Sequence, residues 1–504
     1  MPSLRSVGRA IAVAVGVALV PFVLPPSAAA FGGYELTSPG ARPNGRGGAN
    51  FVGADSPLTL FYNPANLARL DGYHLVGATH LHFTERCMQR VEVVETDGAR
   101  QRGEVFPNVC SEGRNPDFMP QVAFSARLAD DLTLGLGVYT PPVGFQEVRY
   151  GDSETVTFGD EFTPTRYLLI ENDLIQVFPT VGLAYAPHPQ VRVGAAFGWG
   201  ITHAIFANAA FSSVEVMGIE ATSDARNELE ATDAFVPRVQ LGAWAQPVRQ
   251  IPFELGLGFR WTGDVKSDDA ELNIRAFNAE PLDVEAETTL NGVGFEVPQT
   301  AELTFGLRYF EPLEQPADDI GDRLSTEKFD VEANLMVIFA ERVDSFVVDL
   351  PDDETLTVDP GVEGIPPVDV ALPDDIAIEH RWHTRLGLHV GGDYNPIPGV
   401  LGLRAGLSFN SDGVDDGFEN IDFTPFRRVG LHAGATVRIA SVVDLSVAYA
   451  HIFQPDRDVG VDEAGVRRVV GGDEPTDPAD AEVVNAGTIT SDYDLLMVEA
   501  SGHF

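Results

Sequence analysis

Five arginines fall on the polar side of alternating runs: Arg260, Arg308, Arg385, Arg404 and Arg428. A guanidinium is a planar fork of donors that grips a carboxylate through two parallel hydrogen bonds. On one reading these residues receive the head of an acidic ligand. On the other they pair with acids such as Glu254 and Glu302 in an internal network. An apolar solute needs an apolar pocket with few polar anchors. Candidates to line one are Phe31, Phe51, Leu58, Leu60 and Phe61 near the start, and Phe206, Phe211, Val214 and Met217 further on. The stretch 204–220 (AIFANAAFSSVEVMGIE) reads either as an amphipathic piece of an outer loop or as ordinary loop packing. Cys87 and Cys110 are the only cysteines and the candidates for a disulfide. Catalysis has no comparable foothold. G-x-S-x-G, H-E-x-x-H and P-loop patterns are absent, so no enzyme and no cofactor are expected. Acidic stretches such as Asp352-Asp353-Glu354 and Asp473-Glu474 lack the spacing of a calcium loop and read as solvated surface, so no metal is expected either.

The elements that must position these residues alternate with a period of two. In the run 253–262, Phe253, Leu255, Leu257, Phe259 and Trp261 share one face, while Glu254, Arg260 and Thr262 share the other. Runs at 381–394, 401–410 and 429–439 do the same, as strands with one apolar and one polar face do. The runs are long, their polar face carries large charged groups, and aromatics recur near their ends. A water-soluble sandwich shows the same alternation, but these three features point to a transmembrane β-barrel. Fourteen strands are expected, at 73–83, 119–129, 132–145, 168–187, 190–206, 234–247, 252–264, 297–310, 328–342, 380–395, 400–410, 426–439, 443–455 and 491–504. Short turns alternate with long connections, the habit of outer-membrane barrels. The C-terminal Phe504 on an amphipathic last strand agrees with this.

The chain has 504 residues and a formal net charge of −42, with 33 Lys+Arg against 75 Asp+Glu. That balance excludes nucleic acid as a partner, because phosphate binding needs a basic surface. The acids concentrate in the long connections: residues 343–379 hold eleven and no Lys or Arg. They are expected to face the cell exterior. Residues 1–30 combine Arg5 and Arg9, an apolar run from Ala10 to Leu24 and small residues at Ser27–Ala30, the pattern of a secretory signal peptide. An N-terminal anchor is the other reading, for which 15 apolar residues are short.

Residues 31–72 do not alternate and are rich in Gly, Pro, Asn and Asp. They contain Gly45-Arg46-Gly47-Gly48-Ala49, Ala54-Asp55-Ser56-Pro57 and Phe61-Tyr62-Asn63-Pro64-Ala65-Asn66-Leu67-Ala68. With these stretches the chain resembles the FadL family of long-chain fatty acid and aromatic hydrocarbon transporters, which includes the TodX type. Asn63-Pro64-Ala65 is the most specific part. Asn66 stands where the family often has Gly, and the two cysteines are outside its pattern. The resemblance implies a fourteen-stranded barrel (73–504) with an N-terminal hatch (31–72) inside it. It implies a monomer in the outer membrane, in contact with its lipids, passing hydrophobic ligands such as fatty acids by diffusion. Ligand contacts would be Phe31, Phe51, Leu60, Phe61 and Arg404. Release would be lateral, where the third strand kinks. Here that strand runs into Tyr139-Thr140-Pro141-Pro142-Val143-Gly144. Proline donates no ladder hydrogen bond, so this stretch either breaks the pairing or simply ends the strand. A structural or polar-solute barrel without lipid transport is the alternative reading.

Overall fold

The structure, a computed structural model, describes residues 38–96, 98–141, 145–216, 219–280, 286–313, 322–351, 354–359, 366–372, 375–439, 442–471 and 481–504. The expected signal peptide, Phe31, Pro142, Gly144, Met217, Asp352-Asp353 and Asp473-Glu474 lie outside the described residues.

Fourteen strands close an antiparallel barrel. They are β1 (Tyr73–Thr96), β2 (Asp117–Ala129), β3 (Leu132–Tyr139), β4 (Glu171–His188), β5 (Val191–Val216), β6 (Ile219–Ala245) and β7 (Phe253–Thr262), then β8 (Ala301–Pro312), β9 (Glu327–Phe339), β10 (Arg385–Ile397), β11 (Leu401–Asn410), β12 (Arg428–Ile439), β13 (Val443–Phe453) and β14 (Gly487–His503). Each pairs with the next, and β14 returns to β1 along a register from His74↔His503 to Arg90↔Gly487. All fourteen fall on the intervals that alternation marks out.

The side chains are arranged inside out. Leu75, Leu136, Val181, Trp199, Phe305, Leu407 and Val447 stand exposed on the outer wall. Gln121, Glu254, Arg308, Glu332, His432 and Glu499 are buried on the inner one. A belt of exposed apolar side chains around the whole wall exceeds any patch that a water-soluble surface tolerates. It suits lipid, where a closed ladder leaves no backbone group unpaired.

One end of the barrel has tight turns, at 129–132, 188–191 and 397–401. At the other end the wall keeps growing. Strands β5 and β6 are 26 and 27 residues long, where about 9–11 suffice to cross a bilayer. The sheet continues from β6 through Val265–Glu280, Glu287–Val297, Ser345–Asp349 and Asp375–Glu379. Two long acidic connections, 265–296 and 343–379, therefore contain ordered strands. The stretch 204–216 is likewise a strand, because 219–231 folds back beside it residue for residue, from Ala204↔Ala231 to Val216↔Ile219.

Strand β1 turns back into Ala99–Cys110, and Cys87 and Cys110 stand opposite each other at the root of this hairpin, disulfide-bonded. Val93 of the hairpin packs on Val459, Ala464, Val483 and Ala486. Closing a loop of this size is worth about 3 kcal/mol. In Cys87→Ser/Cys110→Ser, proteolysis within 87–110 is expected to accelerate by about 100-fold. The heat-modifiable gel mobility that reports the closed barrel should not change.

Candidate functional site

Three places bear on function: the inner segment 38–72, the wall at β3, and a cavity under the outer sheet.

The inner segment is a short helix (Ala41–Gly45) and two 3-10 turns (Pro57–Phe61 and Pro64–Arg69), each 3-10 turn opened by a proline whose missing N–H costs nothing there. It packs on inward-facing positions all around the barrel. On the β3–β7 side glycines make room for it. A Cβ at Gly135 would strike Leu67, at Gly182 Leu60, at Gly137 Phe61, at Gly194 Pro64 and Ala65, and at Gly256 Phe51. The Asn-Pro-Ala motif serves this seat. The side-chain amides of Asn63 and Asn66 both donate to the Phe51 carbonyl, at 2.9 and 2.8 Å. Asn66 thus has a structural use of its own. Phe51, Leu60 and Phe61 are buried in this seam.

On the β8–β13 side the contact is ionic. Arg46 grips Asp330 with both terminal nitrogens, at 2.8 and 2.7 Å, and reaches Asp393 at 2.9 Å. Arg323 holds Asp330 at 2.9 Å and Asp393 at 3.1 Å. Arg308 binds Asp330 at 2.8 Å, Glu254 at 2.6 Å and also Glu327. Glu254 takes Arg69 at 2.7 Å. Glu332 accepts the backbone N–H groups of Val52 and Gly53. Arg404 is bound to Asp393 at 3.1 Å and Thr436 at 2.6 Å, and Arg260 to Glu302 at 2.7 Å. Of the five arginines singled out from sequence, three are thus in carboxylate pairs. Arg428 donates to the Thr424 carbonyl at 2.7 Å and Arg385 to that of Ser411 at 3.5 Å. The sequence signal missed Arg46, Arg69 and Arg323, which sit outside alternating runs.

At the wall, β3 pairs with β2 from Ala129↔Leu132 only as far as Val122↔Val138. Beyond it Asp117–Gln121 keep their β1 partners, with none on the β3 side among the described residues. On the other flank, Tyr139 is opposite Phe178 and Phe145 is opposite Ile175. Six steps of chain on one strand thus face three on the other. Tyr139, Thr140 and Pro141 are buried at this break. Phe61 stacks on Tyr139 with ring centres 5.1 Å apart, and the Arg238 guanidinium lies 4.2 Å from the Phe178 ring centre. Outside the break, Val122, Leu136, Val138, Val181, Phe197 and Trp199 line a groove of about 560 Å³.

The outer cavity holds about 60 Å³ and is lined by Phe206, Phe295, Phe346 and Phe423 with Leu168, Leu229 and Ile378. Phe346 and Phe423 meet edge to face at 5.6 Å, and Phe206 and Phe295 lie 5.9 Å apart. Phe206 is therefore part of an apolar pocket, as its sequence setting suggests. The other three rings of the cavity come from distant segments.

With this geometry the comparison with solved structures is decisive for architecture. A FadL homologue from Pseudomonas aeruginosa superposes with a TM-score of 0.65 over 94% of this chain and 99% of that one, at 12% identity. The fold is that of the FadL-type barrels. The toluene transporter TodX of P. putida matches with a TM-score of 0.58 at 16% identity, covering 93% and 99% of the two chains. The monoaromatic hydrocarbon channel CymD gives 0.57 at 13%, covering 94% and 99%. No family sequence model and no curated protein matches the chain.

Proposed function

We propose that the chain is a monomeric outer-membrane channel for passive uptake of hydrophobic compounds, working without a cofactor. Ligand is captured in the outer cavity, passes the inner segment, which acts as a plug, and leaves sideways into the lipid beside β3. The observation that carries this reading is the ladder break. In lipid an unpaired strand edge is costly, and here Asp117–Gln121 have no β3 partner among the described residues, just where an apolar groove meets the wall. Thr140 Oγ1, Asp117 Oδ1 and Gln146 Oε1 are buried near the break without hydrogen-bond partners among the described residues. That fits a passage occupied by water or ligand. The inner ionic groups are spent on holding the plug, which favours a wall route over axial flow of polar solutes.

Binding of palmitate and of toluene to purified protein in nanodiscs, with uptake by cells, tests the reading. Phe346→Ala removes a ring from the capture cavity. It should raise the Kd of a bound ligand by about tenfold, the effect of losing roughly 1.4 kcal/mol of packing. If no hydrophobic compound binds and uptake matches that of cells lacking the protein, the channel reading falls.

A further inference from the structure

Beside the outer cavity three arginines converge on one tyrosine. The guanidinium carbons of Arg166, Arg468 and Arg90 lie 4.5, 5.6 and 5.8 Å from the centre of the Tyr167 ring. Two carboxylates stand among them. Asp224 accepts from Arg166 Nε at 2.9 Å and from the Tyr167 hydroxyl at 2.5 Å. Glu482 takes Arg90 at 2.7 Å and Arg468 at 3.0 Å. The neighbouring Arg226 is closed off by Glu228. Three guanidiniums against two carboxylates leave an excess of positive charge, in a chain whose net charge is −42. Burial pushes the Tyr167 hydroxyl pKa up, so it stays a donor. Arg468 Nε is buried without a hydrogen-bond partner among the described residues. A buried donor left unmade is costly, and an incoming acceptor would recover that cost.

The cluster and the cavity share walls. Leu168 and Leu169 follow Arg166-Tyr167 in the chain, Val469 follows Arg468, and all three line the cavity. Strand β5 runs from Asn208 in the cavity wall to Phe211, whose ring centre lies 3.7 Å from the Arg468 guanidinium. The Phe211 N–H donates to the Val469 carbonyl at 2.8 Å. Three residues of strand span about 10 Å, the reach of a two-ring aromatic acid. Asp422 also faces the cavity, but His380 holds its carboxylate at 2.6 Å.

Building on the capture reading, we propose that this site selects an aromatic carboxylate, with its rings among the four phenylalanines and its carboxylate on Arg468, backed by Arg166 and Arg90. A cavity of about 150 Å³ takes benzene. At about 60 Å³ this one is smaller, so a flat ring enters only if its phenylalanines rotate aside, and a long acyl chain needs far more room still. A neutral hydrocarbon would fill the ring space and leave Arg468 Nε unpaired.

The test compares 2-naphthoate, naphthalene and palmitate on the full chain in nanodiscs, read by quenching of tryptophan fluorescence. Naphthoate should bind about tenfold or more tighter than naphthalene, the scale of a charge-assisted hydrogen bond. Arg468→Gln should erase that difference and leave naphthalene binding unchanged, and Arg468→Lys should restore part of it. Unchanged naphthalene binding also certifies that the cavity is intact in the variants. If naphthoate and naphthalene bind equally, or palmitate displaces naphthoate at lower concentration, the head-group assignment is overturned while capture stands. If none of the three binds, both fall.

Discussion

Asp330→Asn is expected to release the inner segment while leaving the barrel closed. Asp330 is fully buried and receives Arg46, Arg308 and Arg323 together. Around it five guanidiniums (Arg46, Arg69, Arg308, Arg323, Arg404) meet five carboxylates (Glu254, Glu327, Asp330, Glu332, Asp393). The set is neutral only when all are present. Removing one member of a buried pair costs about 3–5 kcal/mol, because its partners stay buried and uncompensated. From β8 to β13 the wall has its own backbone ladder, so the loss falls on the weaker seam between segment and wall. Single-channel recordings in planar bilayers should show frequent ion-conducting openings in Asp330→Asn that the parent lacks, with faster amide exchange at 44–54. Adding Arg323→Met removes the surplus cation and should suppress most of the openings, a coupling that a double-mutant cycle reads directly. Quiet channels in Asp330→Asn would show that the glycine-lined seam alone holds the segment.

This network marks the boundary of what the sequence makes legible. Period-two alternation is local, so each barrel strand can be read from its own residues. The partners of Arg308 or Arg404 cannot, because they depend on which strands are neighbours and in what register. Arg46 and Arg69 lie in a segment that glycine and proline mark as turns, and turn-rich composition says nothing about which wall a side chain reaches. The outer sheet escaped for another reason. Ala270, Leu272 and Ile274 alternate inside 265–280 and are buried, but the flanking acids dominate the composition and the run reads as loop. The cavity rings at 206, 295, 346 and 423 come together only once that sheet has folded. The proline pair was legible as a feature with two readings. The register around it adds the arithmetic that a sequence lacks.

That arithmetic yields the second large effect: deleting Pro141, Pro142 and Val143 should shut the wall and stop release. Tyr139 is opposite Phe178 and Phe145 opposite Ile175. Opposed residues in an antiparallel pair share a face, and faces alternate at every step. Six steps cannot match three, so the chain must leave the ladder between these pairs. Removing three residues leaves Thr140 and Gly144 opposite Val177 and Gln176, equal steps with matched parity. Strand β3 can then continue into Phe145–Arg149 without a proline and pair with β2 past Val122. The break closes without altering the outer cavity or the seat of the inner segment. Uptake of a captured ligand should fall by about tenfold or more, as a barrier raised by at least 1.4 kcal/mol requires. Binding to the purified protein should be unchanged. The separation of the two readouts is what matters. Lost binding would mean that the deletion disturbed the fold. Retained binding with undiminished uptake would show that ligand leaves along the barrel axis, past the plug, and not beside β3.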